Sequence, residues 1–268
     1  MNPSNVVSIE AHRERGKKTY LQIPGRVANE TGSRPFLGKA DDGNEYWCKR
    51  IESDHGREAV VNEVAASVVG QRLGAHIRPW KIIYVPPSLQ GLLVGNSTWR
   101  YRLTGTPLFG SLNLHTSTLH QEFGVIPFVN DDANHNHIPK LIAMWALCNV
   151  QGDLQILTDN NEDNSIWSID HGFWFDSLPY PWQLTPLERS GGTPHIPHLR
   201  EVIPGSSWDK AITALDNLDI SLKEELRDAL PIEWSVPEHE TDKLMRYVLE
   251  RKDYTRELLG SYRTGKGQ

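Results

Sequence analysis

Two carboxylates, Asp153 and Asp170, stand at matching ends of one short hairpin pattern: Asp153 precedes the β-type run Leu154 to Thr158, and Asp170 follows the run Ser165 to Ile169. The polar stretch Asp159 to Asn164 joins the two runs, so both aspartates fall at the open end. A carboxylate just after a helix can accept the proton of an attacking hydroxyl, and one a strand away can hold Mg2+ against nucleotide phosphates. Magnesium prefers oxygen and takes few ligands from protein, so the amide oxygen of Gln155 is a fitting companion to Asp170. The competing reading has both aspartates bonding the local turn backbone.

Lys49 is the next position with chemical meaning. Strand alternation from Glu45 to Ile51 puts it on the face of Trp47 and Ile51, where an ammonium needs a reason. One reason is contact with nucleotide phosphates; the other is a stem that covers the sheet edge while its head reaches water. Glu63 offers a carboxylate partner on the following helix, where it should border the buried arc of Val60, Val64 and Val68; Glu58 is the alternative. The turn Thr31-Gly32-Ser33 could cover phosphates with its backbone N–H groups. His115, His120, His135 and His137 match no zinc spacing and read as polar loop residues, and the tryptophans as packing residues.

These residues need elements to place them. Residues 34–40, the turn Asp41-Asp42-Gly43-Asn44 and residues 45–51 form a hairpin pattern, since Asp-Gly is a strong tight-turn signal. A helix is predicted from Gly56 to Leu73, capped by Ser53 or Asp54 at its start and Gly74 at its end. Strands are expected over 77–85 and near 97–103, and the character of the chain changes after Phe109-Gly110-Ser111. A helix from Pro139 to about Asn149 leads into the acidic hairpin. Beyond the Pro-rich stretch 176–204, helical patterns run over 208–215, 221–230 and 237–259. The expected organisation is a tail (1–18), a β-rich lobe with one helix (19–112) and a mainly helical lobe (113–268), of class α+β.

The bulk properties narrow the function classes. A chain of 268 residues with 38% hydrophobic and 23% charged content is long enough for real apolar cores. A formal charge of −6 argues against a general polyanion binder such as a nucleic-acid protein. The charged first twenty residues lack a secretory core and no run approaches membrane-spanning length, so a cytoplasmic protein is expected, with no membrane partner. Cys48 and Cys148 show neither a disulfide framework nor a metal spacing.

The order of the parts resembles the HipA-like kinases, a branch of the protein-kinase-like fold. The residues that carry the resemblance are Trp47-Cys48-Lys49, Asn62-Glu63-Val64-Ala65 running to Leu73-Gly74, Phe109-Gly110-Ser111, Gly152-Asp153-Leu154-Gln155 and Ser168-Ile169-Asp170-His171-Gly172-Phe173-Trp174-Phe175. Pro231-Ile232-Glu233-Trp234, ahead of a helix with Leu249-Glu250-Arg251, is similar too. The resemblance implies a two-lobed kinase using ATP and Mg2+. Lys49 would contact the ATP phosphates with Glu63 as its anchor, Asp153 would be the base, and Asp170 the metal ligand; residues 109–112 would lie near the adenine-binding hinge. The acceptor would be a Ser or Thr hydroxyl of an unidentified protein or of the chain itself. Protein kinases place a metal-binding Asn about five residues after the catalytic Asp. Thr158 stands there in this chain, leaving Gln155 or Asn160 as replacements and a pseudokinase or a small-molecule kinase as alternatives.

Overall fold

Around the Asp42-Gly43 turn the chain doubles back as anticipated: Gly43 takes φ +86 and the Asn44 N–H reaches the Asp42 carboxylate at 3.0 Å. The computed structural model describes residues 18–28, 33–96, 100–121, 123–150, 154–177, 182, 184–186 and 196–265. Residues 1–17 of the expected tail, Gly32 of the turn, Asp153, and residues 178–181, 183 and 187–195 of the Pro-rich stretch lie outside the described residues.

The chain divides into two units, one formed by 1–54 and 80–113, the other by 55–79 and 114–268. In the first, β1 (Thr19–Val27), β2 (Phe36–Ala40), β3 (Glu45–Lys49), β4 (Trp80–Tyr84) and β7 (Leu108–Leu112) close into a barrel of order β1-β2-β3-β7-β4. Closure comes from the parallel pairing of β1 with β4. Alternation is the physical basis: Leu21, Phe36, Tyr46, Cys48, Ile83 and Leu108 fill the interior. Pro24 is accommodated in β1 by register shifts on both sides of it. A separate hairpin, β5 (Leu93–Gly95) with β6 (Arg100–Arg102), stands where only one strand was anticipated. Phe109, Gly110 and Ser111 form the middle of β7, which pairs with β3 on one side and β4 on the other. Gly110 is demanded there, because a Cβ would lie 2.7 Å from Ile83 Cγ1 and 3.2 Å from Tyr46 Cβ.

The second unit is built on two helices. The first, α1 (Gly56–Leu73), has the predicted bounds, but its start is at His55 without a side-chain cap, so neither Ser53 nor Asp54 serves. Its end does turn on Gly74, at φ +62. Rather than one buried arc, every residue from Ala59 to Gly70 is buried, because α1 packs on several helices at once. These are α2 (Ile138–Leu147), α3 (Gly205–Asp216) and α4 (Leu222–Ala229). The helix expected within the β-rich lobe thus packs with the helical unit. A three-stranded antiparallel sheet, β8 (Ser117–Gln121), β9 (Gln155–Asp159) and β10 (Ser165–Ile169), completes it in the order β10-β9-β8.

The long helical pattern over 237–259 is broken in two: α5 (Glu238–Glu250) and α6 (Lys252–Arg263) meet at Arg251. Its guanidinium is buried, donating from Nε to the Ala146 carbonyl at 2.9 Å and facing the rings of Tyr247 and Tyr254. Among the described residues no helix is long and apolar enough to cross a membrane.

Candidate active site

The β9–β10 register decides what stands at the hairpin's open end. Ser165 pairs with Asp159 and Ile169 with Gln155, so the residue that leaves β10 beside Gln155 is Asp170. Asp170 leaves with φ +58, a left-handed conformation that Asp tolerates better than most side chains. Asp153, two residues before Gln155, lies outside the described residues. Thr158 is committed elsewhere: it is 1% exposed and its hydroxyl shares a 3.1 Å hydrogen bond with His120 Nε2. Burial pushes the His120 imidazole below its ordinary pKa, which favours the neutral ring. Asn160 sits past the far end of β9, its side chain bonded to Thr118 at 3.3 Å, about 13 Å or more along the strand from Gln155. Of the oxygen donors considered as metal ligands, Gln155 is therefore the one at the end where Asp170 stands. A carboxylate and an amide oxygen form the hard donor set that suits Mg2+.

Behind that end lies α1. Glu63, anticipated at the border of the core, is inside it at 2% exposure, because α1 is covered on all sides. Its Oε2 lies 3.4 Å from His171 Nδ1, and the other ring nitrogen of His171 meets Ser168 Oγ at 3.2 Å. Trp145 Nε1 donates to the same hydroxyl at 3.3 Å. The backbone at Gly172 passes so near the helix that a Cβ would sit 3.4 Å from the Ala59 carbonyl oxygen and 3.7 Å from Glu63 Oε1. Asn62, beside Glu63, is fully buried and bonded to the segment after Asp170. Nothing in the sequence assigned Asn62 or His171 a role, although a polar residue of modest helix propensity in an apolar helix was the available signal.

In the first unit, Lys49 pairs with Phe109, which pairs with Ile82, and Trp47 pairs with Ser111, which pairs with Trp80. Cross-strand partners share a face, so Lys49 stands among Trp47, Phe109, Trp80 and Ile82 on the side away from the barrel interior. Trp80 and Phe109 stack with centroids 5.8 Å apart. The shared face of Lys49 and Trp47 is as anticipated; Ile51 does not extend it, since β3 ends at Lys49. An aromatic ledge with an ammonium at its side can seat a purine base and meet phosphate charge. Ser33 lies in a turn ahead of β2. Burial raises the thiol pKa of Cys48 and of Cys148, so neither supplies a thiolate nucleophile near neutrality.

Residues 22–125 match the family model described as HipA-like kinase. That range includes Lys49, Glu63 and β7, and ends before Gln155 and Asp170. Among solved structures, the Golgi casein kinase is similar with a TM-score of 0.51 at 11% identity, covering 97% of this chain and 78% of that one. The Golgi casein kinase with Mn/ADP bound gives 0.50 at 10% identity, covering 97% and 77%. A Fam20 protein of hydra, solved with sugar, gives 0.50 at 12% identity, covering 94% and 86%. At such identities the likeness shows a kinase-like fold. No curated protein matches the chain.

Proposed function

We propose, from the match of residues 22–125 to the HipA-like kinase model and from the kinase-like fold, that this protein is an ATP-dependent phosphotransferase acting on a Ser or Thr hydroxyl of a protein, itself included. The observation that supports it most is the delivery of Asp170, in a left-handed conformation, to the hairpin end where Gln155 begins β9.

In this reading Lys49 takes the ATP phosphates and the ledge around Phe109 takes the adenine. Asp170 and Gln155 are the residues that would hold Mg2+, whose charge would offset that of the phosphates. Asp153 removes the acceptor proton. Glu63, seated against His171, braces the segment after Asp170 from the helix side. A second reading, a nucleotide-binding module without transfer, draws on Thr158, whose hydroxyl is engaged by His120 where kinases usually carry a metal-binding Asn.

The test is mass spectrometry after incubation with Mg2+ and ATP, alone and with lysate proteins. Wild type should add phosphate to itself or to an acceptor, and Asp153→Ala and Asp170→Ala should each lose roughly a hundredfold or more in rate. Wild-type protein that binds nucleotide but never transfers phosphate would establish the second reading instead.

A further inference from the structure

We infer that Asn62 is a positioning residue that sets the metal affinity of Asp170 by holding the segment 172–177, with Trp182 as its outer latch; this rests on the kinase reading above. A fully buried amide is costly unless its hydrogen bonds are made, and Asn62 makes them with unusual completeness. Its Nδ2, with two hydrogens shared among three acceptors, lies 2.8 Å from the Gly172 carbonyl oxygen, 3.1 Å from the Trp174 carbonyl oxygen and 3.0 Å from Ser177 Oγ. Its Oδ1 accepts from the indole N–H of Trp182 at 2.8 Å. The partners lie 110 to 120 residues away in sequence.

What Asn62 holds is a strained path. Asp170, Phe175 and Asp176 have φ of +58, +61 and +52, conformations that persist only where the surroundings impose them. On one side the Phe175 N–H is tied to the Cys148 carbonyl at 2.8 Å; Asn62 ties the same segment to α1. The direction of the Asp170 carboxylate follows from that backbone, so releasing it lowers metal affinity without removing a ligand. Groups that orient metal ligands are worth about 10- to 100-fold in affinity when lost. Trp182 extends the device into the Pro-rich stretch.

The experiment measures Mn2+ binding by electron paramagnetic resonance in the presence of ADP, on wild type, Asn62→Asp, Trp182→Phe and Ser177→Ala, together with ADP affinity without metal and the thermal midpoint. Asn62→Asp keeps the size and the acceptor but removes the amide donors. It should weaken Mn2+ about 10- to 100-fold while metal-free ADP affinity stays at the wild-type value. Trp182→Phe and Ser177→Ala should each weaken Mn2+ several-fold. A lower thermal midpoint with unchanged Mn2+ affinity would show a merely structural role and overturn the inference. If Asn62→Asp fails to fold, the two milder variants decide in the same way. Wild-type protein that takes no Mn2+ with ADP overturns the kinase reading and this inference together, whereas binding shared equally by all four proteins overturns only the inference.

Discussion

Lys49 and Gly110 lie on paired strands of one barrel and illustrate two kinds of dependence. Lys49 is half-buried beside Phe109, and in the proposed reading its ammonium meets phosphate. Lys49→Met should raise KM for ATP or lower kcat/KM about 10- to 100-fold, the loss expected for a hydrogen bond to a charged group, in steady-state assays on a protein with unchanged circular dichroism. Gly110→Ala should act through stability alone. Its new Cβ would meet Ile83 Cγ1 at 2.7 Å, and urea denaturation should show a loss of about 1–3 kcal/mol. The character of Lys49 as an unusual residue on an apolar strand face was legible from alternation. The need for glycine at 110 was not, because it comes from Tyr46 and Ile83 on the neighbouring strands.

The hairpin formed by β9 and β10 is attached to the chain between α1 and β4 by Ile77, bridged to Ser168, and by the Ser168 N–H bonded to the His76 carbonyl at 3.0 Å. The His76 ring stacks on Trp167 and on His137, and its Nδ1 bonds the Ile166 carbonyl at 2.9 Å. Burial first, then the neighbouring His137, pull the His76 pKa down to about 4, against weaker opposition from the Ile166 carbonyl and Asp132, with Arg78 adding the smallest downward push. The unfolded chain therefore binds this proton more tightly. Stability is full above the ordinary histidine value and is lost as pH falls from about 6.5 towards 4. His137, also lowered by burial, works in the same direction. Solvent reaching the half-buried ring limits the effect to about 1 kcal/mol between pH 7.5 and 5. Urea melts should show that slope in wild type and a flatter one in His76→Gln. The hairpin itself was readable from its polar turn and β-type runs, with strand bounds within a residue. The histidine stack was not, since His76, His137 and Trp167 come from three distant segments.

For the molecule as a whole, nucleotide binding should appear as stabilisation by mass action. Mg2+ with ADP at about a hundredfold over Kd should contribute about 2.7 kcal/mol and raise the thermal midpoint by several degrees. Asp170→Ala should lose most of the metal-dependent part of that rise in differential scanning calorimetry, and no rise in wild type would remove the nucleotide reading altogether. By itself the sequence determined the β2–β3 and β9–β10 hairpins, the extent of α1 and its glycine stop, and the order Lys49, Glu63, Asp170 that carried the resemblance, because turn chemistry, C-terminal capping and periodicity act within a few residues. Tertiary structure alone decided that Glu63 enters the core against His171 and that Thr158 is taken by His120. It also decided that Arg251 breaks the last helical pattern, and that Asn62 binds partners more than a hundred residues away. Each of these depends on which surfaces the folded chain brings together, and no local pattern encodes that.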